Sequence, residues 1–398
     1  MKNSEIIERL LIIMGEKIGL VTATNVNYGS NLQSYALYMY LTNKGYSLEV
    51  IEYKKTKTFK QLVRIFNFTL VKEKLKYLYR DIYCRFFMPK VYLNMRERSN
   101  LFMDFKDQHF NLSEVYVGEK ALKEGARNYK VVILGSDQLW NPVNLGADFA
   151  TLSFVQDGTL TITYAPSFGV SSIPFYQKNR TCNYLKRIDY ISVREESGKK
   201  IIKDLVGRDV PVVCDPTILV DKMYWSDLKG ERRIIEGEYI LCYFLGRNKK
   251  HREFASRLRA ESGLKIVSLL YIDDFVKDDY HFADITPFDI GPAEFVNLIS
   301  NASYVLTDSF HGTIFSILYE KKFFSFSRFS EKSKSSTNSR IDFLLQQIGI
   351  PERKLTGAEE VSKCLSLSIN YSQVEDKLNQ FRKFSRQYLE NALSNVRM

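Results

Sequence analysis

At 398 residues the chain is longer than one hydrophobic core usually organises, so two domains of roughly 150 to 200 residues are expected, with a cleft between them. Its 45% hydrophobic content, with 27 Phe and 25 Tyr, supplies ample core, while five scattered cysteines, never spaced as CxxC, exclude a disulfide framework and a zinc site. The net charge of +11 points to an anionic partner, and the lack of any nucleic-acid motif turns that expectation away from nucleic acid, toward small anions or lipid phosphates.

The first residues hold only a short apolar stretch, Leu10 to Met14, with no small-residue cleavage pattern, so no secretory signal is expected. No uncharged run approaches the roughly 20 residues a bilayer span needs. The expected location is the cytoplasm, with peripheral contact at the inner face of the membrane left open. Ile18 to Ala23 reads as a buried strand, Leu32 to Asn43 as an amphipathic helix ended by Gly45, and Ser47 to Tyr53 as a second strand. Lys54 to Lys90 then alternates Lys and Arg with Phe, Leu, Tyr and Ile at mostly helical spacing. Two readings fit: a basic amphipathic surface resting on anionic lipid, or a helical excursion (about 54–95) whose aromatics pack on the body, the second being the plainer.

Lys130 to Gly135 and Thr159 to Ala165 are short apolar strands running into Gly, Ser or Asp turns, the exits where open parallel sheets place ligands. A helix around Ile191 to Asp204 opens a second series: strands at Asp209 to Cys214, Tyr239 to Phe244, Leu264 to Leu270 and Ser303 to Thr307, with helices at Lys249 to Ser262 and Ala293 to Asn301. Gln373 to Val396 reads as a long terminal helix able to cross the domain junction. The expected division is residues 1–190, 191–372 and a terminal helix in 373–398.

Chemistry concentrates at Thr307 to Thr313, where a strand ends, a turn carries Ser309, His311 and Gly312, and a helix starts. Free amides and the helix dipole make such a terminus a site for phosphate or carboxylate, and an imidazole beside it trades protons near neutrality. A histidine that only caps the turn fits equally well.

Seven runs in order give the chain a family likeness: Asn27 to Gln33 (NYGSNLQ), Gly135 to Pro142 (GSDQLWNP), Tyr164 to Gly169 (YAPSFG), Ser192 to Glu195 (SVRE), Asp215-Pro216-Thr217, Thr307 to Gly312 (TDSFHG) and Ser339-Arg340-Ile341. Together they resemble the polysaccharide pyruvyl transferase family. The resemblance implies an α/β chain of two Rossmann-like domains facing across a cleft in a GT-B-like arrangement, the first on the acceptor side and the second on the donor side. It implies a pyruvyl transferase that needs no cofactor. Phosphoenolpyruvate is its co-substrate, and the product is a cyclic pyruvate ketal on a sugar of a surface polysaccharide or its lipid-linked oligosaccharide precursor.

By that resemblance His311 is the general acid or base and Arg194 holds the anionic donor, with a salt bridge to Glu195 or Glu196 as the plainer role for the arginine. Ser309, Gly312 and Thr313 would complete the donor site. Family members also carry a lysine or arginine beyond the histidine. The basic, Ser-rich stretch Phe326 to Arg340 reads as a mobile loop offering Arg328, Lys332, Lys334 and Arg340, with Arg328 and Lys332 as the picks. Ser309 departs from the pattern, standing where the best-known members have arginine, so a basic residue from that loop substitutes or the donor differs.

Asn27, Tyr28, Asn31 and Gln33, at the exit of the first strand, and Gln138, at a comparable exit, suit a hydroxyl-rich sugar. Asp137 is a candidate proton acceptor, although Gly-Ser-Asp also satisfies a tight turn. Asp215-Pro216-Thr217 reads as a structural cap, and His109, His251 and His281 receive no role. A GT-B glycosyltransferase using a nucleotide sugar and a non-catalytic glycan-binding or scaffold protein remain as rival readings.

Overall fold

The computed structural model describes residues 17–56, 68–142, 149–271, 276, 279, 282–328 and 339–394. Lys332, Lys334 and His281 lie outside them.

The first half builds β1 (Lys17–Val21), α1 (Tyr28–Asn43), β2 (Ser47–Lys54), α2 (Phe68–Phe87), α3 (Pro89–His109), β3 (Leu112–Val117), α4 (Gly118–Gly125), β4 (Val131–Leu134), β5 (Leu160–Thr163), α5 (Lys178–Arg187) and α6 (Glu196–Val206). The second half continues with α7 (Pro216–Leu219), α8 (Lys222–Lys229), β6 (Tyr239–Tyr243), α9 (Lys249–Ser262), β7 (Lys265–Ser268), α10 (Pro292–Asn301) and β8 (Tyr304–Thr307). It closes with α11 (Phe310–Leu318), β9 (Lys322–Phe326), α12 (Ser339–Ile348), β10 (Lys354–Leu355), α13 (Val361–Ser366) and α14 (Tyr371–Leu393).

Two five-stranded parallel sheets result, in orders β3-β2-β1-β4-β5 and β10-β9-β8-β6-β7. Each reverses strand order beside its first strand, between β1 and β4 and between β6 and β8, so a crevice opens at the carboxyl ends there. Parallel bridges Ile162 to Tyr190 and Val193 to Val212 carry the first sheet outward, and Ile201, Ile202 and Val210 pack in its outer core. The first domain therefore runs past the expected 190/191 boundary, and Arg194 belongs to it. Only one bridged residue of the stretch expected as a strand at Asp209 to Cys214 pairs, at Val212.

Period-two alternation divides the strands between cores. Ile18, Leu20, Val131 and Ile133 join Tyr239, Leu241, Val305 and Phe323 in one central cluster shared by both sheets, while Val132 and Leu134 face one outer cluster and Ile240, Leu306 and Phe324 the other. The seam is closed by side chains of α1 and α10. Tyr28 stacks on Phe295 at 4.5 Å and donates to the Ile290 carbonyl at 2.9 Å. α14 straps both halves: Arg382 and Arg386 donate to the carbonyls of Ile218 and Leu219, and the Tyr388 hydroxyl donates to Thr163 O at 2.9 Å. Arg98 of α3 ties the excursion after β2 to the second half, donating to the carbonyls of Leu270, Pro287 and Phe288. Among the described residues no helix is long and apolar enough to cross a membrane.

Candidate active site at the domain seam

The two crevices face each other, and their strand exits deliver a buried polar cluster. From β8, Ser309 caps α11, its hydroxyl accepting from Gly312 N at 3.2 Å while its carbonyl accepts from Thr313 N at 2.9 Å. Thr313 Oγ1 is engaged as well, with the Ser309 carbonyl at 3.0 Å and Ser325 Oγ at 2.7 Å. Ser309, Gly312 and Thr313 are thus bonded to one another within the turn, and Thr313 to the following strand. Glycine is required at 312 because a Cβ there would fall 2.6 Å from Thr307 Oγ1.

The cap leaves His311 pointing across the seam. Its Nε2 faces Asp215 Oδ2 at 3.4 Å, and its Nδ1 lies so close to α1 that a Cβ at Gly29 would fall 1.9 Å away. Only a glycine in the Asn-Tyr-Gly-Ser run admits the ring, which is a second reason for that motif beside turn chemistry. Asp215 also caps α7, accepting from Thr217 N at 3.0 Å and Thr217 Oγ1 at 2.7 Å. The structural role read from its sequence is real, and to it is added the counter-charge for His311 and Arg194, whose Nη1 lies 2.6 Å from Oδ2. Burial opposes ionisation of Asp215, but His311, Arg194 and Thr217 more than offset it and hold the carboxyl well below the usual carboxylate range.

Arg194 is 3% exposed and does not bond Glu195 or Glu196 as its plainer reading supposed. Its second anion is Asp137, with Nη2 3.7 Å from Oδ1. Burial disfavours the guanidinium charge, yet Asp215, Asp137 and Glu195 raise its pKa above the ordinary arginine value. Asp137 sits in the left-handed region at φ 76°, accepting from Ser30 Oγ and from Gln138 N at 2.8 Å. Its carboxyl is half-buried, and the burial favours the neutral acid, but Arg194 and His311 win and lower the pKa. Asp137 is consequently a fixed anion and hydrogen-bond acceptor more than a strong base.

The residue that sequence reasoning passed over is Arg340. Offered with the other cations of a stretch read as a mobile loop but not picked, it occupies the first turn of α12, 8% exposed, and its guanidinium lies 5.4 Å from the Phe310 ring centroid, the same ring that Arg194 approaches at 4.8 Å. Turned oxygen-inward, the Gln138 amide accepts from its Nη atoms at 2.6 and 3.2 Å. Among the described residues no carboxylate lies within ion-pair distance, and its Nε has no partner. Burial first, then repulsion by Arg194, pushes its pKa down to about 10. The Ser-Arg-Ile motif was the available signal. Arg328 is half-buried, its guanidinium 5.7 Å from the Tyr271 ring, and its charge acts on Asp308.

The expected acceptor residues divide. Tyr28 is core, as described, and burial raises its pKa to about 12. Asn31 and Gln33 are fully buried and spend their amide N–H groups on nearby oxygens, including the Asn27 and Ser30 carbonyls, and Asn27 caps α1 by accepting from Ser30 N. Gln138 and Asp137 instead line a cavity of about 670 Å³ at the exits of β1, β2 and β4, together with Asn25, Tyr53, Lys54 and Phe149. Tyr53 and Phe149 stack at 5.3 Å to form an apolar wall. His251 is buried behind β8, with Nδ1 3.9 Å from Asp308, and burial pushes its pKa down to about 4.

Such a pair of facing Rossmann-like domains defines a GT-B-like protein, and a known structure shares the plan. UDP-N-acetylglucosamine 2-epimerase from Rickettsia bellii matches at TM-score 0.53 with 9% identity over 96% of each chain. UDP-GlcNAc 2-epimerase from Methanocaldococcus jannaschii matches at 0.48 (11% identity, 91% of this chain and 92% of that chain). A glycosyltransferase from Streptomyces nogalater matches at 0.43 (10% identity, 95% and 98%). Among curated proteins no relative matches. Residues 27–330 match the polysaccharide pyruvyl transferase family, and the chain belongs to it.

Proposed function

We propose that the protein transfers the carbon skeleton of phosphoenolpyruvate to two hydroxyls of one sugar, forming a cyclic pyruvate ketal on a surface polysaccharide or its lipid-linked precursor. The observation that carries this reading is the meeting of His311, Arg194 and Arg340 around Phe310, with no carboxylate within ion-pair distance of Arg340 among the described residues, where a small polyanionic donor finds cations in a buried setting. Arg340 supplies the charge that Ser309 does not. The acceptor enters the 670 Å³ cavity, with Asp137 and Gln138 at its inner end and the Tyr53–Phe149 wall for a sugar face.

A proton delivered by His311 to the methylene carbon creates an oxocarbenium-like centre at C2. One sugar hydroxyl adds there, the C2–O bond to phosphate breaks, and the second hydroxyl closes the ketal. The two hydroxyl protons end on the new methyl group and on the released phosphate, so no cofactor is required. Asp215 holds the imidazole in place, and Asp137 accepts a hydrogen bond from the attacking hydroxyl.

Phosphate release from phosphoenolpyruvate with candidate glycan acceptors is the test. His311→Ala is expected to lower the rate by about 10³-fold, within the range for general acid–base groups. Full activity in that variant, or release with no acceptor-dependent product in the parent, sinks the reading.

A further inference from the structure

The excursion after β2 carries charge and apolar surface that the site does not use. Lys54 to Lys90 holds eleven Lys and Arg against Glu73 and Asp81, an excess of nine within a chain whose net charge is +11. Among its described side chains, helix α2 turns a row of apolar residues to solvent. Leu75, Leu78, Tyr79, Ile82 and Phe86 are each 49 to 73% exposed, and at about 100° per residue their positions fall within an arc of about 100° on one face. Phe87, beside them at the helix end, is 73% exposed, whereas Cys84 on the far side is fully buried.

The hairpin partner α3 is held at its other end, where Arg98, Phe102 and Phe105 are buried, while Leu93 near its start is again exposed. Basic side chains Arg85 and Lys90 are exposed at the same tip as Phe86 and Phe87. A continuous apolar stripe of this size is uncommon on a soluble surface without an occupant.

We infer that the α2–α3 tip is a membrane-docking element that inserts its Leu, Ile, Tyr and Phe stripe into the headgroup boundary of an anionic bilayer. Charge selects this occupant. A second copy would bring an equal excess of positive charge against the first, whereas anionic lipid attracts it at roughly 1 kcal/mol per Lys or Arg near the surface. The geometry is that of an interfacial helix, apolar on one side, basic at the flanks and held in the plane of the surface. Lys54, the last residue of β2, where the excursion departs, lines the cavity proposed for the acceptor, so docking sets that mouth beside the lipid phase where lipid-linked glycans reside.

Co-sedimentation of the full chain with vesicles of phosphatidylcholine alone or enriched in phosphatidylglycerol tests this without donor or acceptor, so it succeeds or fails independently of the ketal reading. Binding is expected only with the anionic vesicles, weakening as salt is raised. Leu78→Asp with Phe86→Asp is expected to cut the bound fraction about tenfold, and Arg85→Glu with Lys90→Glu to weaken it as well, with circular dichroism and Tm unchanged because all four sites are exposed. The inference is overturned by absence of anionic-vesicle binding, by binding that survives the Asp variants, or by a dimer in solution that those variants dissociate.

Discussion

Arg194 and Arg340 lie against the same Phe310 ring in different electrostatic surroundings. At the Arg194 corner, Asp215 lies 2.6 Å from one terminal nitrogen and Asp137 3.7 Å from the other, and the guanidinium pKa is raised. At the Arg340 corner the partner is a neutral amide, Gln138, and the pKa falls to about 10. Two carboxylates offset the charge of the first guanidinium; among the described residues the second has none within ion-pair distance. On the proposed reading, the difference separates a cation whose charge is already offset from one whose charge is left for the donor.

The largest effect expected from breaking this contrast is on stability at the Arg194 corner. Arg194→Met strands Asp215 and Asp137 without their cation, and chemical denaturation should read a loss of about 3–5 kcal/mol. Arg340→Met removes a charge that burial disfavours, so its Tm should equal or exceed the parent's. Yet its KM for phosphoenolpyruvate should rise about 10²-fold, and the donor should no longer raise Tm by mass action. Equal thermal destabilisation by the two substitutions would erase the distinction.

A smaller effect sharpens it through pH. The folded-state pKa of Asp215 and of Asp137 is depressed from the usual 3.8, so each contributes stability at pH above that value and loses it as pH falls through the folded one. Acid unfolding of the parent should therefore steepen below about pH 4, and Asp215→Asn should flatten that limb in circular dichroism at the cost of lower stability at neutrality.

Much of the scaffold was legible in the sequence because strand alternation and turn residues are local. β1, β4, β6 and β8 and the helix at Lys249 to Ser262 lie where the pattern puts them. β9 was hidden because Lys322–Phe326 follows the apolar run of α11 almost without punctuation; the turn is made by Glu320 in the left-handed region at φ 54°, a position a glycine would have advertised. β3 is an edge strand whose Val115 and Val117 are exposed, which blurs its alternation.

In the candidate site, His311 and Arg194 stand out in the sequence because motif and chemistry coincide. Arg340 carried only the Ser-Arg-Ile motif as a signal, and a cation in a Ser-rich run looks solvated until α12 is packed against Phe310. Tyr28 misled for the converse reason: its partner Ile290 lies 262 residues away, and no local pattern announces that contact.

The single apolar cluster beneath both sheets has a thermodynamic consequence. Two-domain chains often melt in separate steps, because each domain keeps its own interior and the interface between them is modest. Here Ile18, Leu20 and Tyr28 share an interior with Leu241, Phe295 and Phe315, and α14 is bonded to both halves. Neither half can lose its order without exposing the other's interior, so calorimetry should record one cooperative endotherm, and donor bound at the seam should move that whole peak upward.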